Sequence, residues 1–181
     1  MLRADLEHIL RAAGRITQER EFIVLGSQSI LGKVPHPPDT LTGSMEADVY
    51  PKHAPEKAEE IDGAIGERSS FHAQFGVYAH GVGPETAVLP ADWEKRLVKI
   101  ENENTDGAIG WCLDPHDLAY SKLAAGREKD TAFVAEMLRH RFITETTLCS
   151  LLEATPADLR TRLETAWTIV LRSKALPPPA G

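Results

Sequence analysis

Hydrophobic residues follow two different spacings over the first 115 residues of the chain. Apolar side chains three and four positions apart predict an opening helix over residues 4–20. The apolar run Phe22–Leu25 predicts a strand that ends at Gly26, and we expect Ser27 to be the N-cap of a following helix. The other patterns predict a helix over residues 54–63, a hairpin loop over 102–107, and strands at 45–50, 71–78, 88–89, 96–100 and 109–113. This mixture of short strands and helices predicts an α+β core over residues 1–115.

The pattern becomes helical throughout after residue 115. Apolar residues at helical spacing predict helices over residues 116–125 and 128–141, with Gly126 as a C-cap between them. Thr144 is suited to cap a third helix, and Thr155-Pro156 is suited to open a fourth. We therefore expect residues 116–176 to form a helical part packed on the core in one compact unit, followed by a flexible tail at residues 177–181.

Composition and charge narrow the classes of function. The net charge of −7 argues against general nucleic-acid coating, because that affinity comes from basic side chains on phosphates. The two cysteines are far apart and have no neighbours at metal-ligand spacing, which argues against a zinc site or a disulfide scaffold. No apolar run reaches the length of a signal sequence or a membrane span. We therefore expect a cytoplasmic protein with no membrane partner.

The strand predicted around Ser44–Tyr50 carries two carboxylates one residue apart. Because successive side chains of a strand point to opposite faces, Glu46 and Asp48 share one face, and Met45, Ala47 and Val49 share the buried one. Two carboxylates held this close repel each other, and a hard divalent cation such as Mg²⁺ relieves that repulsion. The pattern has two interpretations, a metal site for phosphoryl chemistry or an exposed edge strand with solvated acids.

A second feature lies where the first predicted strand ends. A strand that turns into a helix at Gly26-Ser27 leaves backbone N–H groups available for a phosphate, although an ordinary N-cap explains the serine equally well. His72 and His80 are also potential ligands. Single histidines in predicted strands are more often core or surface residues, and we interpret both in that way.

Together with these features, the segment from Asp117 to Asp130 resembles the minimal nucleotidyltransferase superfamily, in particular its AbiEii-like toxin branch. The similarity rests on four motifs in the same order, spread over residues 22–140. They are Gly26-Ser27, Glu46-x-Asp48, the helix Asp117-Leu118-x-x-x-Lys122-Leu123, and Arg127-x-Lys129-Asp130. The resemblance implies a mixed β-sheet flanked by helices, with a C-terminal helical bundle.

The resemblance also implies a site and an activity. Glu46 and Asp48 would hold Mg²⁺ or Mn²⁺, Lys122 would neutralise the phosphates of an NTP, and Gly26 and Ser27 would bind the nucleotide. Glu46, Asp48 and Lys122 form the implied catalytic set. Such a site transfers a nucleoside monophosphate to a hydroxyl of an RNA, a protein or a small molecule. The toxin branch further implies RNA or a cognate antitoxin protein as partners.

Two departures from the family pattern leave alternatives open. Glu46 stands where aspartate is usual, and the predicted strand at residues 71–78 offers no third carboxylate. A catalytically degenerate module that binds a nucleotide or a partner is therefore the second hypothesis, and a purely structural interaction domain is the third. The alternative for Lys122 is an ordinary helix lysine, and for Arg127 and Asp130 an intrahelical ion pair.

Overall fold

The computed structural model of the chain describes residues 1–174. The chain forms two units in it. One contains Met1–Ala87 and Trp93–Asp114, and the other contains Val88–Asp92 and the described residues from Pro115 onward. The tail expected at residues 177–181 lies outside the described residues.

The first unit is built on a mixed sheet of five strands within the described residues, in the order β3-β2-β1-β5-β4. Antiparallel pairing joins β1 to β2 and β4 to β5, whereas β1 with β5 and β2 with β3 are parallel. The strands are β1 (Glu21–Leu25), β2 (Glu46–Pro51), β3 (Tyr78–Gly81), β4 (Val98–Ile100) and β5 (Ile109–Cys112). The predicted α+β class with a mixed sheet is confirmed.

Helices cover this sheet and explain its burial. The apolar face of α1 (Arg3–Thr17) is fully buried through Leu6, Ile9 and Leu10. Two shorter helices follow later, α2 (Ala58–Ile65) and α3 (Ser70–Phe75). Short 3₁₀ turns complete the unit at Ser27–Gly32, Asp39–Leu41, Pro55–Lys57, Pro84–Thr86, Trp93–Arg96 and Glu103–Thr105.

Two predicted strands are wrong. The segment 71–78 is mostly helix α3, because the Ser69 side chain accepts a hydrogen bond from the backbone N–H of His72 and starts a helical turn. Gly76 ends that helix in the left-handed region at φ 70°. The strand β3 begins only at Tyr78. The segment 88–89 has no regular secondary structure.

Two local predictions around the strand ends are also wrong. Gly26, rather than Ser27, is the N-cap residue of the helix after β1, and that helix is of the 3₁₀ type. Met45 precedes β2 and is 53% exposed, so it does not share the buried face. Ala47 and Val49 are fully buried on that face, as the alternation predicts.

The second unit consists of α4 (Pro115–Ala125), α5 (Glu128–Arg139), α6 (Glu145–Glu153) and α7 (Ala157–Lys174). Gly126 at φ 67° ends α4, and the Thr144 side chain accepts from the backbone N–H of Thr147 at the start of α6. Both predicted caps are therefore present, and so are the predicted C-terminal helices. Its core includes Leu118, Leu123, Val134, Met137, Leu148, Leu163 and Val170.

No helix within residues 1–174 combines the length and the apolar character that a membrane crossing requires.

Candidate metal centre

Strand β2 holds Glu46 and Asp48 on its partly exposed face, while the buried residues between and after them anchor the strand in the core. The parallel register with β3 places Tyr78 beside Glu46 and His80 beside Asp48. Partners across a strand ladder project to the same face of the sheet. Two short strands therefore bring two carboxylates, an imidazole and a phenol to one surface.

The distances show that these side chains converge. The Nδ1 atom of His80 lies 3.3 Å from Oδ1 of Asp48 and 3.8 Å from Oε1 of Glu46. Within the described residues, these three form the one group of three or more metal-ligand side chains, with one ligand atom from each within 4.8 Å of the others. We call Glu46, Asp48 and His80 the triad.

Tyr78 fixes one member of the triad. Its hydroxyl donates a hydrogen bond of 2.9 Å to Oε2 of Glu46, and the ring of His72 packs against the Tyr78 ring at 4.6 Å between centroids. Burial, together with the hydrogen bond to Glu46, raises the pKa of Tyr78 to about 12. The phenol therefore stays protonated near neutral pH and remains a donor to the carboxylate.

Electrostatics at Asp48 are unfavourable without a cation. Burial raises the pKa of the Asp48 carboxyl above its ordinary value, and the neighbouring charge of Glu46 raises it further, whereas His80 opposes the rise. A partly buried carboxylate beside a second one is costly unless a positive charge lies nearby. The oxygen and nitrogen donors of the triad supply ligands that a divalent cation takes in proteins, so this donor set fits such an ion.

The glycine after β1 packs directly against Asp48 of the triad. Gly26 adopts φ 63° and ψ −165°, a region that side-chain-bearing residues rarely occupy. A Cβ atom there would lie 2.2 Å from Oδ2 of Asp48. The backbone conformation therefore favours glycine at this position, and a side chain there would displace the Asp48 carboxylate, so the fold brings the predicted corner to Asp48.

The 3₁₀ helix that begins at Ser27 is tied to the chain just before β2. Gln28 is 1% exposed, and its Nε2 donates to the carbonyl oxygen of Ser44 at 3.0 Å. The hydroxyl of Ser44 in turn accepts from the backbone N–H of Glu46 at 3.1 Å. These bonds fix the start of β2 relative to the corner, and with it the position of Glu46.

Lys122 lies in the second unit, on α4. Its Nζ atom forms a 3.2 Å ion pair with Oδ1 of Asp130 and lies 5.1 Å from the centroid of the Phe133 ring. Arg127 binds the same carboxylate through Nε at 2.5 Å and Nη2 at 3.2 Å. The expected Arg127–Asp130 ion pair is present, and Lys122 joins it within this unit.

A family model described as "Nucleotidyltransferase of unknown function (DUF6036)" matches residues 4–163. The chain belongs to this nucleotidyltransferase family. Comparison with curated proteins and with solved structures gave no significant match.

Membership in the nucleotidyltransferase family indicates what kind of ligand the triad could bind. The description of the family implies a nucleotide substrate, and nucleotidyltransferases typically use divalent metals. The resemblance to nucleotidyltransferases is thereby confirmed at the level of the family, and the match extends through most of the second unit.

In this member of the nucleotidyltransferase family, sequence reasoning passed over two side chains that the fold brings to the acids. His80 was interpreted as a core or surface residue, and Tyr78 as the end of a strand over 71–78. The available signal was the spacing of Tyr78-x-His80, which repeats the spacing of Glu46-x-Asp48. That signal gains meaning only once β2 and β3 are paired in parallel.

Proposed function

We propose that this chain transfers a nucleoside monophosphate from an NTP to an acceptor hydroxyl, with a divalent cation held by Glu46 and Asp48. The acceptor oxygen forms a bond to the α-phosphorus, the bond from that phosphorus to the bridging oxygen breaks, and pyrophosphate leaves. The hydroxyl proton passes to solvent. The observation that carries this proposal is the contact of Asp48, one of the acid pair on β2, with the Gly26 corner in a chain of this family.

Each of these residues has a defined task in the proposal. When bound, the cation offsets negative charge on the phosphates and on the transition state. Glu46 and Asp48 hold it on the rigid strand β2, which limits loss of geometry during the reaction. Gly26 and Ser27 are proposed to contact the phosphate end of the nucleotide on the basis of the family resemblance, in which the corner after the first strand has this role.

Lys122 is proposed to neutralise phosphate charge, on the basis of the family resemblance. The alternative role of Lys122 is structural, because an ordinary helix lysine would form the same ion pair with Asp130. Lys122→Met retains the apolar stem and removes the charge. We expect it to abolish stabilisation by NTP, whereas Lys99→Met, which removes an exposed lysine outside the four motifs that is paired with Glu101, should leave that stabilisation unchanged. Equal NTP stabilisation of both variants would assign Lys122 to structure alone.

The AbiEii-like resemblance supports an RNA, a protein or a small molecule as the acceptor. It also supports a role as the toxin of a toxin–antitoxin pair, with the antitoxin protein as partner. These assignments depend on the branch resemblance rather than on the site, because one fold serves many functions.

A second candidate function is a nucleotide-binding or partner-binding module that has lost transfer. Two observations favour it. The third ligand group beside Glu46 and Asp48 is the imidazole of His80 rather than a carboxylate. Glu46 is also longer than aspartate by one methylene, which shifts its oxygens relative to an ion with strict octahedral geometry such as Mg²⁺.

Label transfer separates these functions. The full chain is incubated with each α-labelled NTP, with Mg²⁺ or Mn²⁺, and with total RNA or total protein. Asp48→Ala is compared with Asp62→Ala, which removes an exposed carboxylate on α2. We expect transfer by the natural chain and by Asp62→Ala, and none by Asp48→Ala. Transfer that persists in Asp48→Ala would overturn the assignment.

If no transfer is observed, heat denaturation in the presence of nucleotide distinguishes the remaining candidate functions. Metal-dependent stabilisation by an NTP without transfer supports the binding module, since a ligand of the folded state raises the melting temperature. No stabilisation by any NTP would overturn both nucleotide functions and would leave the structural interaction domain.

A further inference from the structure

The imidazole of His80 changes the chemistry of the metal site. Its Nδ1 faces Oδ1 of Asp48 at 3.3 Å and Oε1 of Glu46 at 3.8 Å, so the third donor of the triad is nitrogen. His80 is held by the parallel ladder between β2 and β3 rather than by a loop. Paired strands hold a ligand residue more precisely than a loop does, so the approach of His80 to the acids is not a chance contact of mobile surface side chains.

The second oxygen of each carboxylate already has a neighbour. The hydroxyl of Tyr78 donates to Oε2 of Glu46, which is the oxygen other than the one nearest His80. Oδ2 of Asp48 packs at Gly26, while Oδ1 is the oxygen nearest the imidazole. One oxygen of each acid is therefore oriented toward the imidazole by contacts on its outer side, as is usual for supported metal ligands.

We propose that the triad binds a first-row transition-metal dication, for which Mn²⁺ is the probe, in preference to Mg²⁺, with Nδ1 of His80 as the third ligand. Binding of the ion stands on the triad alone. Only the use of that ion in nucleotidyl transfer rests on the proposed function.

The preference follows from ligand chemistry. Mg²⁺ takes oxygen ligands in near-ideal octahedral geometry and gives up its water reluctantly. Imidazole nitrogen favours transition metals, and the affinity of mixed nitrogen and oxygen sites rises along the first row from Mn²⁺ onward. Because Mn²⁺ also accepts carboxylate oxygen, it suits all donors of the triad. The longer Glu46 side chain is a smaller handicap for an ion less demanding of geometry.

Metal binding is measured on the full chain without nucleotide. Free Mn²⁺ is followed by electron paramagnetic resonance during titration, and Mg²⁺ is then added as competitor. His80→Asp converts the triad into a set of three carboxylates, and His36→Asp makes the same change at an exposed position outside the triad. Thermal unfolding of each metal-free variant confirms that the fold is retained.

We expect the natural chain and His36→Asp to bind Mn²⁺ with equal affinity and to resist competition by Mg²⁺. His80→Asp should lower the ratio of Mn²⁺ to Mg²⁺ affinity on the order of tenfold. His80→Ala should weaken Mn²⁺ binding by at least about tenfold, since it removes a ligand. An unchanged affinity ratio in His80→Asp, or unchanged Mn²⁺ binding in His80→Ala, would overturn the proposal.

The two proposals fail separately. Mn²⁺ binding that depends on His80, in a chain that transfers no nucleotide, supports the metal proposal and removes the enzymatic one. Transfer by a chain whose Mn²⁺ binding is unchanged by His80→Ala supports the enzymatic proposal and removes the metal one.

Discussion

Gly26→Ala tests the contact between the corner after β1 and Asp48. The added methyl group meets two obstacles at this position. The backbone lies at φ 63° and ψ −165°, and the new Cβ would lie 2.2 Å from Oδ2 and 3.2 Å from Cγ of Asp48. The carboxylate has to rotate away, and it then loses its 3.3 Å contact with His80.

The cost follows from these two parts. A residue with a side chain held in such a sparsely populated backbone region loses about 2 kcal/mol of folding free energy. Displacing a packed neighbour adds about 1 kcal/mol. We therefore expect Gly26→Ala to lower the free energy of unfolding by about 3 kcal/mol. Gly76→Ala is the reference, because Gly76 has φ 70° but no atom within 4 Å of the position that the added methyl group would take; it should lose about 1 kcal/mol.

A double-mutant cycle separates the two parts of the cost. Gly26→Ala is made in the natural chain and in an Asp48→Ala chain, where the carboxylate is absent. Urea denaturation, followed by circular dichroism at neutral pH with a chelator, gives the free energy of unfolding of each. The loss caused by Gly26→Ala should fall to about 2 kcal/mol in the Asp48→Ala chain, a coupling of about 1 kcal/mol.

One outcome of the cycle would contradict the contact between Gly26 and Asp48. Independent sites are additive within about 0.5 kcal/mol, so a coupling of about 1 kcal/mol is measurable. If Gly26→Ala costs the same with and without Asp48, the two residues are not in contact. The candidate site would then lose the observation on which the proposed function depends.

Three further changes test other parts of the structure. Tyr78→Phe removes the hydrogen bond to Glu46 and should weaken Mn²⁺ binding about tenfold with little change in urea midpoint; undiminished binding would show that the phenol does not orient the acid. Burial favours a raised pKa at Asp130, but hydrogen bonds and charge from its two cationic partners outweigh it and hold that pKa below its ordinary value. Ionised Asp130 thus stabilises the fold above about pH 4, and this stabilisation is lost as the pH falls through the lowered pKa. Asp130→Asn should therefore be less stable near neutral pH by about 3 kcal/mol, with the difference shrinking in acid, and a difference independent of pH contradicts this. Gly81→Ala would place Cβ against the Ala58 carbonyl oxygen at 1.9 Å, and we expect a loss of about 3 kcal/mol in urea denaturation; an unchanged midpoint would contradict the packing of α2 on β3.

Elements with a strong local pattern were predictable from sequence. The apolar runs at β1 and β5, the face of α1 and the C-terminal helices follow from hydrophobic spacing, which is a local property. The segment 71–78 was not predictable in this way. Its partial alternation suggested a strand, whereas the Ser69 cap and the left-handed Gly76 confine a single helical turn there.

The same distinction between local pattern and tertiary structure applies to the candidate site. Sequence alone placed Glu46 and Asp48 on one strand face, because side chains alternate with a period of two whatever the strand packs against. It also singled out Gly26 as a corner. Only the tertiary structure decided that β3 pairs in parallel with β2 and brings His80 and Tyr78 to the acids. Strand pairing joins residues about thirty positions apart, and no local spacing encodes that register.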